Sequence, residues 1–243
     1  MQNKYQKIVF LTGAGISAES GLSTFRAENG LWNKHRVEDV ATIEAFERNP
    51  HFVHDFYNDL RKELFKAEPN SAHLAITKLQ ENFSGEVYVI TQNVDTLHEK
   101  AGNKNVFHIH GKVDEVVCLN CGRVHNTWGD CEWDDECPNC GVRGFLKPNI
   151  VFFGENLLYM DKVEVLLKKA SLFVSVGTSG MVYPAAGFVQ TAKYYGAKTI
   201  DINIENLGFN PYFDKRIIGS AGVKLSEIVD ELLSGGEVSY GVC

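Results

Sequence analysis

The sequence predicts an α/β fold in which helices cover both faces of a parallel sheet, with a small cysteine-rich lobe attached. Two observations predict it. Short, nearly continuous apolar runs alternate with helical patterns along most of the chain, and five of the six cysteines lie within 23 residues. Such apolar runs are typical of parallel strands that are buried on both faces. A chain of 243 residues is long enough for one large domain with a small insert.

Four apolar runs predict the strands of the parallel sheet, and helical spacing predicts helices between them. The strands are Ile8–Leu11, Glu86–Ile90, Leu172–Val176 and Thr199–Ile202, and two of the helices are Asn70–Phe83 and Tyr183–Tyr195. Residues 30–67 carry helical spacing away from any strand, whereas residues 117–145 are rich in Cys, Gly, Asp and Trp without a long periodic run. We therefore expect these last two segments to form a smaller lobe.

Composition and charge exclude several classes of function. Lys and Arg number 24 against 31 Asp and Glu, so the net charge is −7 and nucleic acid is not an expected partner. The longest apolar runs are strand-sized, far below the roughly 18 apolar residues of a membrane span, so no membrane is expected. The short polar segment Met1–Gln6 resembles neither a signal peptide nor a transit peptide, and we expect a cytoplasmic protein.

Two C-x2-C pairs predict a structural zinc site. The pairs are separated by 15 residues, and clustered cysteines in an intracellular chain indicate metal rather than disulfides. Four thiolates complete a tetrahedral zinc shell and leave no open position for catalysis, although redox chemistry by either pair stays an alternative. The predicted ligands are Cys118, Cys121, Cys137 and Cys140; Cys131 and Cys243 receive no role.

A glycine-rich loop follows the first predicted strand. Gly13-Ala14-Gly15-Ile16-Ser17-Ala18 fits the pattern G-x-G-x-x-G/A, in which glycines let the backbone approach a pyrophosphate and a helix N-terminus follows. The alternative is a strand–helix turn that needs small residues only for packing. The sequence is less consistent with an ordinary dehydrogenase. Glu38 and Asp39 follow the glycine loop at about the distance of the usual ribose ligand, but no strand precedes them.

Two further polar segments lie at predicted strand ends. Gln92, Asn93 and Asp95 follow the second strand, where α/β sheets place their ligands, with helix capping by Asn93 or Asp95 as the alternative. His110 lies at another apolar edge and is a candidate general base, because histidine titrates near neutral pH. His108, two residues earlier on the same alternating face, is the competing candidate.

Together, these motifs closely resemble the sirtuins, NAD-dependent protein lysine deacylases, and especially their bacterial class III branch. The resemblance rests on motifs that follow one another in order: Gly13–Gly21, Thr24–Arg26, Thr91–Asp95, His110–Gly111, the two cysteine pairs, Phe153–Glu155, Gly177–Ser179 and Asn203–Glu205. It covers roughly residues 8–233. It implies one catalytic domain with a Rossmann-like large lobe of about 1–29, 68–112 and 148–233. The small lobe would comprise about 30–67 and 113–147, with a zinc ribbon at 118–140.

The resemblance also implies where the ligands bind. NAD would be held by the glycine loop, the Gln-Asn-x-Asp segment and the later strand ends, and an acyl-lysine peptide would bind by strand addition. The implied NAD contacts are Gly13, Ala14, Gly15, Ile16, Ala18, Glu19, Phe25, Arg26, Trp32, Gln92, Asn93, Asp95, Gly177, Thr178, Ser179, Asn203, Glu205 and Ala221. The implied substrate contacts are Tyr57, Leu60, Val151, Phe152, Phe153, Gly154 and Glu155.

In the implied reaction, the acyl carbonyl oxygen of the modified lysine attacks the anomeric carbon of NAD and nicotinamide leaves. Water then releases free lysine and O-acyl-ADP-ribose. His110 would be the general base on a ribose hydroxyl, and Asn93 is the second implied catalytic residue. Mono-ADP-ribosyltransfer or NAD hydrolysis on the same scaffold is the alternative function, because both need the same site. A non-catalytic zinc module is less consistent, since it leaves the polar segments without a purpose.

The sequence departs from the resemblance at one informative position. Class III members that remove succinyl or malonyl groups carry Tyr-x-x-Arg, whereas here Tyr57 is followed by Leu60. Arg61 would lie about 100° further round a helix and would face elsewhere. Leucine cannot form the bidentate grip of arginine on a carboxylate, so we expect weak desuccinylation and a preference for acetyl or longer apolar acyl groups.

Overall fold

Six parallel strands form the larger sheet within residues 4–23, 35–180 and 182–236, which the computed structural model describes. Their order across the sheet is β3-β2-β1-β7-β8-β9, and every neighbouring pair is parallel. The strands are β1 (Lys7–Thr12), β2 (Glu86–Thr91), β3 (Val106–His108), β7 (Leu172–Val176), β8 (Lys198–Asn203) and β9 (Lys215–Ile218). The order reverses between β1 and β7, which makes their carboxyl ends a topological switch point, where such sheets bind ligands.

Helices cover both faces of this sheet. On one face, α4 (Ser71–Asn82) and α8 (Ala221–Leu233) pack against each other and against β1, β2, β7 and β8. On the other face, α6 (Met160–Lys169) and α7 (Phe188–Tyr194) bury a second apolar cluster. The short helix α5 (Leu97–Lys100) follows the end of β2. The predicted parallel sheet with helices on both faces is confirmed.

The smaller sheet is antiparallel and has the order β5-β4-β6. Its strands are β4 (Gly111–Cys118), β5 (Val124–Asn126) and β6 (Leu146–Ile150). Helices α1 (Val37–Val40), α2 (Ile43–Arg48) and α3 (Pro50–Lys66) supply much of the apolar cluster that covers β4 and β6. The chain therefore joins two remote segments in one small structural unit.

Helix α3 begins with a clear capping signal. The Asn49 side chain accepts a hydrogen bond from the Phe52 amide, and Pro50 occupies the first turn, where its missing N–H costs nothing. Near its middle, Arg61 is buried and donates hydrogen bonds to the carbonyl oxygens of Val113 (2.8 Å) and Gly129 (3.0 Å). Arg61 thus ties the helix to the small sheet.

Three expectations need correction. No α-helix starts within residues 14–23 after the glycine loop; two 3-10 turns, Ala14–Ile16 and Ala18–Ser20, take its place and end at Gly21 in the left-handed region. The helix predicted from Tyr183 begins later, with a 3-10 turn at Ala185–Gly187 before α7. The cysteine-rich segment is flanked by strands that its composition does not indicate. Among the described residues, no helix is long and apolar enough to cross a bilayer.

A candidate nucleotide site and a four-cysteine metal centre

The loops after β1 and β7 meet backbone to backbone at the switch point. The Gly15 amide donates to the Gly177 carbonyl oxygen at 2.8 Å, and the Gly13 amide donates to that of Val176 at 3.0 Å. A Cβ on Gly15 would lie 2.6 Å from the Cα of Gly177, which has φ +59°. Packing between the two loops therefore requires glycine at Gly13 and Gly15, a role that the alternative strand–helix turn did not foresee.

The rest of the first loop is anchored from two helices. The Asn70 side chain donates to the Ile16 carbonyl oxygen (2.8 Å) and to Ser20 Oγ (2.9 Å), and it also caps helix α4. The Glu19 carboxylate accepts the Gly222 amide (2.6 Å) at the start of α8, where the positive end of the helix dipole favours an anion. Glu19 thus contacts the first turn of α8, which begins with the buried Ala221.

The polar segment after β2 forms a buried hydrogen-bond network with the same loop. The Asn93 side-chain amide donates to the Gly13 carbonyl oxygen and to Ser17 Oγ, both at 3.1 Å. Ser17 in turn donates to the Asp95 carboxylate at 2.9 Å, and Asp95 accepts the Leu97 amide at the start of α5. The N-cap of α5 is Thr96, so neither Asn93 nor Asp95 is the cap, although Asp95 accepts the amide of the first helical residue. Ser17 is the link that sequence reasoning left without a role.

The later strand ends join this network. Gln92 donates from its side-chain amide to Thr178 Oγ1 at 2.9 Å, and the Asn203 amide donates to the Thr178 carbonyl oxygen at 2.9 Å. Ser179 is half-buried beside them, whereas Glu205 is exposed. The structure therefore gathers the predicted residues after β1, β2, β7 and β8 at one edge of the sheet. Phe25, Arg26 and Trp32 lie outside the described residues.

His110 is fixed by the same edge. Its Nδ1 donates to the Gln92 carbonyl oxygen at 2.8 Å, because a carbonyl can only accept. This hydrogen bond leaves the Nε2 lone pair of the neutral ring available as a base. Burial lowers the pKa of His110, although its hydrogen bond to Gln92 opposes that shift. The ring is consequently neutral at neutral pH, as a general base must be.

The predicted substrate segment runs from His110 towards the small lobe. The Val151 amide donates to the His110 carbonyl oxygen and the Phe153 amide to that of Ala41, both at 2.9 Å. The Phe152 side chain is buried, but Phe153 is 58% exposed, and Gly154 has φ +93°. The segment is thus held at two points while one aromatic side chain faces outward.

The buried Lys147 contacts the predicted substrate segment and the residue before it. Lys147 Nζ donates to the Ile150 carbonyl oxygen (2.8 Å), pairs with the Glu155 carboxylate (3.1 Å) and lies 3.8 Å from the centre of the Phe152 ring. Glu155 also accepts the Phe152 amide at 2.6 Å. Burial lowers the pKa of Lys147, and the nearby Glu155 opposes that shift. Sequence analysis gave Lys147 no role; its only signal was a charged residue within an apolar run.

Tyr57 and Leu60 lie side by side in the apolar cluster under the substrate segment. Both are buried, and the Tyr57 ring stacks on that of Phe152 with centroids 6.0 Å apart. Arg61 points away to Val113 and Gly129, so the expectation that it faces elsewhere is confirmed. Within the described parts of the chain, Leu60 packs among apolar side chains, and Arg61 does not face it.

The four predicted zinc ligands come together. Their sulfur atoms all lie within 4.8 Å of one another, and the Cys118–Cys140 and Cys121–Cys137 pairs are each 3.8 Å apart. A tetrahedron with Zn–S bonds of about 2.3 Å has edges of about 3.8 Å, so the donor set fits zinc closely.

Side-chain amides support this metal centre symmetrically. Asn120, in the first pair, contacts Cys140 Sγ, and Asn139, in the second pair, contacts Cys121 Sγ, each at 3.6 Å. Each amide therefore donates to a sulfur of the opposite pair and offsets part of the thiolate charge. Cys131 is buried nearby but lies outside the four-sulfur group.

The fold and this edge define a class: an α/β protein with a candidate nucleotide site at the switch point and a separate group of four cysteines that could hold a metal ion. The sequence model of the Sir2 protein family matches residues 13–184 of this chain. An NAD-dependent protein deacylase of Vibrio vulnificus is 48% identical over 96% of both chains. One from Leishmania major is 50% identical over 93% of this chain and 95% of that one. The chain therefore belongs to the Sir2 family, and the resemblance stated from its motifs is confirmed.

Solved structures agree with this assignment. A Sir2 homologue in complex with NAD superimposes with a TM-score of 0.85, at 36% identity, over 96% of this chain and 91% of that one. A Sir2 protein bound to an acetylated peptide superimposes with a TM-score of 0.79, at 30% identity, over 94% of both chains.

Proposed function

We propose that this protein is an NAD-dependent protein lysine deacylase that releases nicotinamide, free lysine and O-acyl-ADP-ribose. The observation that carries the proposal is the tautomer of His110, whose Nδ1–H is committed to Gln92 and whose Nε2 is left as a base at the switch-point edge. Membership of the Sir2 family and relatives named as NAD-dependent protein deacylases support it. The four-cysteine centre supports a structural zinc ion remote from the chemistry.

The described residues around the switch point suit NAD. Amide, hydroxyl and carboxylate groups of Gln92, Asn93, Asp95, Thr178 and Asn203 converge there, and such groups hydrogen-bond ribose hydroxyls and amides. When bound, NAD would supply the electrophilic ribose carbon that the acyl carbonyl oxygen attacks as nicotinamide leaves, and a ribose hydroxyl that finally carries the acyl group. His110 Nε2 would take the proton of a ribose hydroxyl, and Asn93 would orient that ribose.

The peptide segment is part of the same proposal. Residues 151–155 would pair with an extended acyl-lysine peptide by strand addition, with the exposed Phe153 beside it. The cleft would lie between the large lobe (about 1–29, 68–112 and 148–233) and the small lobe (about 30–67 and 113–147). We also infer a cytoplasmic location, because clustered cysteines that serve as metal ligands are typical of reducing compartments.

The acyl pocket we infer is apolar. Leu60 is buried beside Tyr57 and Phe152, and the nearest arginine in the sequence, Arg61, is committed to the carbonyl groups of Val113 and Gly129. Leu60 offers a succinyl carboxylate no cationic partner, and burying an unpaired carboxylate costs several kcal/mol. Acetyl and longer hydrocarbon groups would meet no such penalty.

Mass spectrometry of one peptide carrying acetyl, succinyl or a long acyl group tests the proposal, with and without NAD. We expect NAD-dependent release of free lysine and O-acyl-ADP-ribose from the apolar acyl peptides, lost in His110→Ala. NAD consumption that leaves every peptide intact, or that modifies a protein with ADP-ribose, would instead establish NAD hydrolysis or ADP-ribosyltransfer.

Two substitutions at one position test the acyl preference. Leu60→Arg should raise the ratio of desuccinylation to deacetylation, because the guanidinium can pair with the carboxylate. Leu60→Met, which preserves size and polarity, should leave that ratio unchanged. A folded Leu60→Arg protein with an unchanged ratio would refute the assignment of Leu60 to the acyl pocket.

A further inference from the structure

His108 is a second histidine at the edge of the sheet where His110 lies, and the proposed mechanism does not use it. It is the last residue of β3, and its side chain is only 4% exposed. Its Nδ1 lies 2.8 Å from the Asn93 carbonyl oxygen, and its Nε2 lies 2.8 Å from the Glu99 carboxylate. His108 and His110 thus contact the consecutive carbonyl groups of Asn93 and Gln92.

Both partners of His108 are acceptors, which fixes the protonation of its ring. A carbonyl oxygen has no proton to donate, and neither has an ionised carboxylate. Burial raises the pKa of Glu99, but the hydrogen bond and charge of His108, together with Lys112, lower it to about 2 overall. Glu99 is therefore ionised at neutral pH, and both nitrogens of His108 must carry protons to make both hydrogen bonds.

The other charged and titratable groups around the pair are compatible with this state. From helix α5, His98 faces the ring; burial lowers the pKa of His98, so this neighbour is neutral. From β4, Lys112 faces Glu99 but is itself paired with Asp114 (3.3 Å) and Glu115 (3.8 Å). Asp95, in the loop after β2, is held by Ser17 and Leu97.

We propose that His108 is a positioning residue for Asn93, and that its doubly protonated ring, fixed by Glu99, holds the NAD-binding segment in place. The inference rests on the proposed function, in which Asn93 contacts NAD. A neutral ring has only one N–H. With Glu99 ionised, that N–H goes to the carboxylate, because charge-assisted hydrogen bonds are stronger. The Nδ1 lone pair then faces the Asn93 carbonyl oxygen and repels it.

Displacement of Asn93 would weaken NAD binding directly. The Asn93 side chain links the Gly13 carbonyl oxygen and Ser17 Oγ, so a shift of its backbone would loosen the glycine loop as well. We therefore expect NAD affinity to fall when the second proton of the His108 ring is removed. The general base His110 acts in its neutral form, so this loss cannot come from that ring.

The first experiment needs no NAD. Nitrogen NMR of the ¹⁵N-histidine-labelled full chain should show both ring nitrogens of His108 protonated at neutral pH, with the signal assigned by its absence in His108→Gln. In Glu99→Gln the ring should be neutral and protonated on Nδ1, because the new amide can donate to Nε2. A neutral His108 in the unmodified protein would overturn the inference.

The second experiment measures the dissociation constant for NAD by calorimetry across the alkaline range. The unmodified protein should weaken about tenfold, the loss of one hydrogen bond of about 1.4 kcal/mol. Glu99→Gln should bind NAD without this pH dependence, since its neutral His108 keeps the bond to Asn93. Asp230→Asn, which removes a surface pair with Lys78, is the matched control and should behave like the unmodified protein.

The outcomes separate the two proposals. An alkaline loss of equal size in Glu99→Gln would overturn the role of His108. NAD binding with the expected pH dependence but without lysine release would refute the deacylase activity and leave the positioning role intact. Absence of NAD binding at every pH would overturn both.

Discussion

The backbones of Gly15 and Gly177 are in direct contact, joined by a 2.8 Å hydrogen bond from the Gly15 amide to the Gly177 carbonyl oxygen. This contact locks the first loop to the end of β7, at the point where the strand order reverses. It explains why Gly15 and Gly177, which are 162 residues apart, are needed together, since a side chain on either would separate the loops.

Substituting Gly15 by alanine should therefore destabilise the protein and impair NAD binding. The added Cβ would lie 2.6 Å from Gly177 Cα, and such overpacking costs about 1–3 kcal/mol. Denaturant unfolding and NAD calorimetry would measure both effects. Gly129→Ala is the control, because a Cβ there meets nothing within 4 Å; equal behaviour of the two variants would contradict the packing role.

The deacylation rate should have an acidic limb set by His110. Burial lowers the pKa of His110, so the neutral base persists below the ordinary histidine value of about 6.5 and is lost as the pH falls through the lowered pKa. Steady-state rates across the acidic range would locate this limb. His110→Ala should lose about 100-fold or more at every pH. A limb at or above about pH 6.5 would argue against His110 as the base.

Substituting a zinc ligand should unfold the small lobe, whereas substituting a neighbouring cysteine that does not bind zinc should not. Cys137→Ser should lower the zinc content from one ion per chain and broaden the NMR signals of the small sheet, because structural zinc contributes folding energy. Cys131→Ser is the matched control, since Cys131 is buried nearby but lies outside the sulfur group. Full zinc content in Cys137→Ser would contradict the assignment.

Lys147→Met should weaken peptide binding more than it slows catalysis. The lysine ties Glu155 and the Ile150 carbonyl oxygen beneath the substrate segment, so its loss should raise KM for the peptide several-fold and lower stability by about 1–3 kcal/mol. Lys62→Met, at an exposed pair with Asp130, is the control. A fall in kcat with unchanged KM would show that the lysine does not support peptide binding.

The sequence predicted the central strands because burial on both faces makes them continuous apolar runs. Ile8–Leu11 and Leu172–Val176 lie within or coincide with β1 and β7. It missed β4 to β6, which pair antiparallel and include one cysteine, two lysines and one proline. It also missed β9, a four-residue edge strand that begins Lys215-Arg216. Local periodicity is too short in these strands to separate them from loops.

Within the candidate site, the sequence indicated which residues take part better than it indicated their hydrogen-bond partners. The motifs indicated Gln92, Asn93 and His110. Nothing local showed that Ser17 joins Asn93 to Asp95 or that Glu19 accepts an amide of helix α8. Those links span 76 to 203 residues of chain, so only the folded topology creates them.

The buried polar side chains of helix α3 also constrain the order in which the contacts of the small lobe can form. His54 contacts the carbonyl oxygens of Cys131 and Leu146, which follow it by 77 and 92 residues. Arg61 contacts the carbonyl oxygen of Gly129, which follows it by 68 residues. During synthesis, these polar groups leave the ribosome long before their partners exist. These contacts of helix α3 can therefore form only after the cysteine-rich segment has been synthesised, so the small lobe cannot be completed before then.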